Sequence, residues 1–104
     1  MTYSLHPEAA TDLWEAAEYY RGRAGALLAR VFLGEFERAM ALLEEYPLLG
    51  AQWLHGKRRL VMRRFPYSII YVTIDQEVLV LAVAHQSRRP GYWRERGEMS
   101  SPSR

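Results

Sequence analysis

The segment Val78–Trp93, VLVLAVAHQSRRPGYW, constrains the architecture of this chain more than any other part of it. Its first half, Val78–His85, is a nearly all-apolar strand that is too hydrophobic to face water on both sides. Such a strand needs neighbouring strands and a covering layer. Its second half is cationic and aromatic, which is typical of a small anion-directed site at the end of a rigid element.

Two more strands are predicted upstream of this segment, Arg59–Arg64 and Ser68–Ile74, because their side-chain pattern has a period of two or none. The breaks at Phe65–Pro66 and Asp75–Gln76 have the length of tight turns. Neighbouring strands joined by such turns run antiparallel, so the second half of the chain is predicted to be a three-stranded meander.

The first half of the chain predicts a helical hairpin. Pro7 suits the first position of a helix, and apolar residues then recur at steps of three and four to about Tyr20. Residues 21–26, RGRAGA, interrupt the pattern, which resumes at Leu28 and ends before Pro47. Helices joined by so short a link lie antiparallel. Residues 47–56 are predicted to be a connecting loop.

The prediction is therefore a single α+β domain over residues 1–96. A short N-terminal strand at Tyr3–Leu5 precedes the helical hairpin, which packs on one face of a mainly antiparallel sheet of about four strands. Residues 97–104, GEMSSPSR, form a short polar tail that we expect to be disordered.

Composition excludes several functional classes. The 104 residues include no cysteine, which removes disulfides, zinc–thiolate sites and thiol catalysis and is compatible with a reducing compartment. The spacing of His6, His55 and His85 does not suggest a metal site, and there is no Gly-rich phosphate loop, so we expect no metal and no cofactor. Neither an export signal nor a membrane-spanning stretch is recognisable, and we expect a cytoplasmic protein.

Charge is distributed unevenly along the chain, although the net charge is only +2. Residues 1–54 hold four arginines against eight acids, whereas residues 55–96 hold nine Lys or Arg against three acids. A basic half suggests contact with an anionic partner, either nucleic acid or an acidic protein segment. The alternative is a solvated cationic face without a partner.

A basic cluster lies on and before the first strand of the meander. Strand alternation places Arg59 and Arg63 on one face, the likelier exposed one, and Arg58 and Arg64 on the other, near the strand ends, where they are expected to reach solvent. The cluster is Lys57, Arg58, Arg59, Arg63 and Arg64. Each arginine can equally be an edge-strand charge that discourages aggregation.

A second group of polar residues follows the last strand: His85, Arg88, Arg89, Tyr92 and Trp93. Guanidinium groups bind phosphate, an imidazole exchanges a proton near neutrality, and an aromatic ring stacks a base. Together with Arg59 and Arg63 they can hold and cleave an RNA backbone without a metal. The alternative is structural: a hydrogen-bonded histidine at a strand end, with Trp53 and Trp93 as packing residues.

Several of these segments resemble the RelE/ParE superfamily of toxins from type II toxin-antitoxin (plasmid stabilisation) modules. The resemblance covers most of the chain. It rests on Pro7, Ala9, Asp12, Leu13, Tyr19 and Tyr20, on Pro47 and Gly50, on RRFPYSIIY at Arg63–Tyr71, and on VLAVAHQSRRPGYWRER at Val80–Arg96. The last two motifs are specific in combination and weak singly.

This resemblance implies the same strand, helical hairpin and antiparallel sheet. It also implies a growth-arresting toxin with a cognate antitoxin, which covers the toxin with an extended, helical and often acidic segment. Operator DNA would be contacted only indirectly, through the DNA-binding domain of the antitoxin. A basic surface is a plausible receiver for an acidic segment.

The superfamily divides by target, and the resemblance leaves three hypotheses open. ParE-like members inhibit DNA gyrase and are not enzymes, whereas RelE-like members cleave mRNA on the ribosome without a metal. If this chain is a nuclease, the resemblance and the residue chemistry assign catalysis to Arg59, Arg63, His85, Arg88 and Tyr92. The typical RelE lysine pair is reduced to Lys57, which favours the ParE-like reading.

Binding of the target or of the antitoxin is assigned to Lys57, Arg58, Arg64, Arg89 and Trp93. The third hypothesis is a non-toxic antitoxin-binding module of the same fold.

Overall fold

A computed structural model describes residues 2–87 and Arg96 of this protein. Within them the fold is a helical hairpin on one face of a five-stranded mixed sheet. The elements in chain order are β1 (Thr2–Leu5), α1 (Pro7–Ala24), α2 (Ala26–Glu45), β2 (Ala51–Gln52), a 3₁₀ turn (Leu54–Gly56), β3 (Arg58–Val61), β4 (Tyr67–Ile74) and β5 (Glu77–His85). The predicted fold class is confirmed, while the tail at 97–104 lies outside the described residues.

The two helices meet at one glycine. Pro7 occupies the start of α1, where its missing N–H is not needed, and the Glu8 N–H donates to Nδ1 of His6 at 3.1 Å. The predicted end of this helix near Tyr20 was too early, because α1 continues through Gly22 to Ala24. Gly25 ends it at a φ of 94°, a left-handed conformation that glycine adopts without steric cost.

The sheet has the strand order β1-β5-β4-β3-β2. β5 is central, pairing with β1 in parallel and with β4 antiparallel, and β3 pairs antiparallel with both β4 and β2. The fifth strand, β2, is only two residues long and lies within the segment predicted as a loop. Between Ile70 and Tyr71 the β4–β5 register shifts, so Leu81 is an extra residue on β5.

The main core fills the space between the helices and the sheet. Phe32, Phe36 and Leu43 of α2 are almost fully buried and pack with Ile69 and Tyr71 of β4. Burying a side chain of this size contributes about 1.5–3 kcal/mol. On the other face of the sheet, a separate small cluster is formed by Ile70, Ala82 and Trp53. The predicted packing role of Trp53 is thus confirmed.

The turn between β4 and β5 is strained at both central residues. Asp75 and Gln76 have φ values of 50° and 64°, as a two-residue I′ hairpin turn requires, and such turns favour glycine at the second position. We expect Gln76→Gly to raise the free energy of unfolding by about 1 kcal/mol, measured by urea denaturation. Thr73→Gly, at an exposed strand position, is the control and should lower it. A loss of stability in Gln76→Gly would contradict this account.

Candidate functional site

The basic cluster is divided between the two faces of the sheet. Arg58 lies opposite Tyr71, which faces the helices, and Arg59 lies opposite Ile70, which faces away from them. β3 ends at Val61, so Arg63 and Arg64 belong to the following loop and not to a strand. The alternation predicted for Arg58 and Arg59 is therefore correct, whereas the predicted end of the strand at Arg64 was three residues too late.

Arg58 is bound to the loop that precedes β2. Its Nη1 donates to the carbonyl oxygen of Gly50 at 2.7 Å and to that of Leu48 at 3.4 Å. Arg58 is half-buried, and its guanidinium supplies the hydrogen bonds of these two carbonyls, which have no helix or strand partner. Its predicted role in partner binding stays a prediction.

Arg59 lies on the face of the sheet that the helices leave open. Its guanidinium carbon is 3.9 Å from the centroid of the Trp53 ring, a cation–π contact that also keeps the charge close to solvent. Lys57, two residues earlier, is half-buried, and its backbone carbonyl accepts the Trp53 N–H at 2.8 Å. Arg59 is thus held in position by the small cluster beneath it.

The remaining arginines of the cluster gather at the edge of the sheet beside α2. Arg64 and Arg38 lie on either side of Glu35, at 3.8 Å and 3.6 Å from the same carboxylate oxygen. Arg63 is exposed and lines a small groove between α2 and β3. These three arginines are therefore close in space, although Arg38 comes from the half of the chain in which acids predominate.

His85 faces the helices at the end of β5. It packs edge-on against Tyr67, with ring centroids 5.0 Å apart. Its Nδ1 accepts the Ser87 N–H at 3.0 Å and lies 2.8 Å from the Ser87 Oγ. Because Nδ1 is an acceptor, the neutral ring carries its proton on Nε2. This matches the structural alternative for His85, a hydrogen-bonded histidine at a strand end.

His85 lines a pocket of about 320 Å³ between α1 and β5. Its other polar lining residues are Asp12, Glu15, Tyr19, Tyr67 and Ser87. The sequence showed no second proton-transfer group near His85, but the helical hairpin brings these residues to it from distant positions. Of the pocket's two carboxylates, Asp12 is paired with the Arg96 guanidinium at 2.8 Å, so its charge is largely compensated.

Tyr67 is held in its neutral form. Burial raises the pKa of the Tyr67 phenol, and the neighbouring phenols of Tyr20 and Tyr19 raise it further. The ring belongs to a cluster with Tyr20, Phe32 and Phe65, in which centroids lie 5.1–6.3 Å apart. This cluster fixes the end of β4 and hence the wall of the pocket.

An ion pair that the sequence did not predict covers the part of the β5 edge that does not pair with β1. One Asp12 oxygen accepts the Val83 N–H at 3.1 Å and a guanidinium N–H of Arg96 at 2.8 Å. The same Arg96 nitrogen donates to the Leu81 carbonyl at 2.9 Å, and Arg96 Nε lies 2.9 Å from Glu8. Side chains thus satisfy backbone groups that a further strand would otherwise pair. No spacing in the sequence signals a contact over 84 positions.

Two described members of the predicted nuclease set, His85 and Arg59, lie on opposite faces of the sheet. His85 lies on the helix-packed side of the sheet, whereas Arg59 lies on the opposite side, two strands away. The other predicted residues, Arg88, Arg89, Tyr92 and Trp93, lie outside the described residues.

Within residues 2–87 and Arg96, no group of three His, Cys, Asp or Glu side chains is placed to hold a metal ion. In the same part of the chain, neither helix has a stretch apolar and long enough to cross a bilayer.

Comparison with known proteins agrees with this architecture. Residues 3–90 match the family model described as the ParE toxin of the type II toxin-antitoxin system, parDE. A solved structure of the chromosomal ParDE TA system from P. aeruginosa has a chain with the same fold, at a TM-score of 0.72 and 22% identity, covering 82% of this chain and 95% of that one. Among curated proteins, none matches this chain in sequence. The predicted superfamily is confirmed: this chain belongs to the ParE toxin family of type II toxin-antitoxin systems.

Proposed function

We propose that this protein arrests growth in the cytoplasm by inhibiting DNA gyrase, and that a cognate antitoxin relieves the arrest. Membership of the ParE toxin family supports the toxin role and the existence of an antitoxin. DNA gyrase is the target that the ParE branch of the superfamily implies. The rival target is mRNA on the ribosome, which requires a metal-independent endoribonuclease.

The observation that carries the choice is the position of His85. RNA cleavage requires a proton-transfer group and a cation within reach of one phosphate. His85 instead lines a pocket with Asp12 and Glu15, and Arg59 lies on the other face of the sheet. Because His85 and Arg59 lie on opposite faces of the sheet, they cannot act on one phosphate, which favours inhibition by binding over catalysis.

Expression of the chain without a partner tests this proposal. We expect growth arrest with a DNA-damage response and intact mRNA, and we expect the purified chain to inhibit supercoiling by purified gyrase. His85→Ala should leave that inhibition within about twofold, since a binding mechanism needs no proton transfer. Cleavage of mRNA between codon positions, lost in His85→Ala, would establish the nuclease instead. Normal growth would leave only the non-toxic antitoxin-binding module.

A further inference from the structure

The segment around β2 exposes a group of large apolar side chains. Between residues 46 and 54 they are Tyr46, Leu48, Leu49 and Leu54, and Leu48 is 66% exposed. Single apolar side chains on a surface are ordinary, whereas several in one short segment mark an interaction surface. This apolar surface lies at the β2 end of the sheet, and the described part of the chain leaves it uncovered.

The backbone that carries these side chains is held from inside the protein. The Tyr71 hydroxyl accepts the Gly50 N–H and donates to the Pro47 carbonyl. The Arg58 guanidinium donates to the carbonyls of Leu48 and Gly50. Because the loop is fixed by side chains of β3 and β4, its exposed residues are presented in one conformation. Such a surface loses little conformational freedom when it docks on another rigid surface.

β2 is an edge strand whose outer backbone groups are unpaired. The Trp53 N–H donates to the Lys57 carbonyl at 2.8 Å, and Ala51 lies opposite Arg59. Since backbone groups alternate in direction along a strand, the N–H and C=O of Gln52 point away from β3. Among residues 2–87 and Arg96 these two groups have no strand partner. β2 also has neither a charge nor a proline to block a further strand.

The charges on either side of β2 are opposite in sign. Glu44 and Glu45 end α2 before it, and Lys57 follows the 3₁₀ turn after it. In the described part of the chain none of the three forms an ion pair. When two copies of one strand pair antiparallel about a two-fold axis, the segment before the strand in one copy faces the segment after it in the other. Acids then face a lysine, so the surface is complementary to itself.

We infer that a second copy of this chain docks on this surface, with the two β2 strands paired antiparallel about a two-fold axis. The N–H and C=O of each Gln52 bond those of the other copy, which joins the two sheets into one. Leu48 packs toward Leu54 of the other copy, and Glu45 faces its Lys57. Two backbone hydrogen bonds are too few to order a flexible peptide, whereas a rigid copy needs little ordering. The inference does not depend on the target of the toxin.

Sedimentation equilibrium of the purified chain across the micromolar range tests the inference. We expect a reversible dimer, and Leu48→Glu should weaken it by about 100-fold or more, because it places like charges in an apolar interface. The matched control is Leu27→Glu, 69% exposed at the opposite end of α2, which should stay within about threefold. Thermal unfolding of each variant separates lost pairing from lost folding. A chain that stays monomeric throughout would overturn the inference.

The strand pairing has its own test at Gln52. Gln52→Pro removes the outward N–H and leaves the hydrogen bonds to β3 in place, so its dimer should be weaker by about tenfold or more than that of Gln52→Ala. Hydrogen exchange at the Gln52 amide should slow as the protein concentration rises. Equal dimer affinities of the two variants, with an amide indifferent to concentration, would reject paired strands.

Exchange of charges shows whether the contact is between copies. Glu45→Lys and Lys57→Glu should each weaken their own dimer by about tenfold, because like charges then face each other at two symmetric places. An equimolar mixture of the two variants should recover the affinity of the wild type, since opposite charges meet again in the mixed dimer. A mixture no tighter than the separate variants would place the contact elsewhere.

Another occupant of this surface is an outcome of the same variants. If the wild-type chain is monomeric and Leu48→Glu abolishes its binding to purified gyrase or to the protein encoded by the adjacent reading frame, the surface belongs to that partner. The second copy is then rejected, while the toxin function stands. If the dimer forms as described and the chain fails to inhibit gyrase, the dimer stands and the proposed target fails.

Discussion

Asp12→Ala is expected to lower the free energy of unfolding by about 3 kcal/mol, the largest loss among the variants considered for stability. The substitution leaves the Val83 N–H without its acceptor and removes one counter-charge from the largely buried Arg96, whose side chain is 12% exposed. Alanine has the higher helix propensity, which offsets only about 0.5 kcal/mol of the loss. Urea denaturation with circular dichroism measures the effect.

Two variants show which part of Asp12 matters. Asp12→Asn keeps an oxygen that can accept the Val83 N–H but loses the charge, so it should cost less than Asp12→Ala. Glu8→Gln removes the other, 65% exposed carboxylate beside Arg96 and should change the free energy of unfolding by less than about 1 kcal/mol. Equal stability of Asp12→Ala and the wild type would show that the edge contact is dispensable.

Gly50→Ala is expected to destabilise the protein by about 1–3 kcal/mol, because there is no room for a Cβ atom. That atom would lie 2.8 Å from Cε1 and from the hydroxyl oxygen of Tyr71, and 2.9 Å from the Arg59 carbonyl oxygen. All three are held by the sheet. Gly34→Ala is the matched control: a Cβ there meets nothing within 4 Å, so it should stabilise α2 by about 0.5–1 kcal/mol.

The Tyr71 hydroxyl is the other half of this contact. It accepts the Gly50 N–H at 2.9 Å and donates to the Pro47 carbonyl at 2.7 Å. Tyr71→Phe leaves the buried Gly50 N–H and the half-buried Pro47 carbonyl without this partner, at a cost of about 1–3 kcal/mol. Because Gly50 and Tyr71 share this contact, the double variant should cost less than the sum of the two single ones. Strict additivity in this cycle would contradict a shared contact.

The periodicity of the sequence was sufficient to predict the helices, the meander and the packing of one on the other. Helical spacing from Leu28 to Leu43 and the apolar run Val78–Val83 each require one buried side, and only a hairpin laid on a sheet provides it. Boundaries were less accurate, because Gly22 and Gly25 look alike in sequence. Of these two glycines, only Gly25 has a positive φ. The short β2 has no periodicity at all and exists because β3 offers it an edge.

The chemistry of the surfaces was less accessible to sequence reasoning. Strand alternation separates Arg58 from Arg59. It does not show that Arg58 binds loop carbonyls, that Arg59 stacks on Trp53, or that Arg63 and Arg64 lie beside α2. The difference depends on which face of β3 each occupies and on where β3 ends. A one-residue slip in the pairing of β3 with β4 would exchange the faces.

By itself, the sequence determined the fold class, the superfamily and the uneven charge of the chain, since periodicity, motifs and residue counts are local properties. Only the tertiary structure decided that Asp12 meets Arg96, that His85 lines a pocket with Asp12 and Glu15, and that Arg38 joins Arg63 beside β3. These are contacts between elements far apart in the chain. They depend on strand register and helix placement, which come from packing of the whole core and from no single segment.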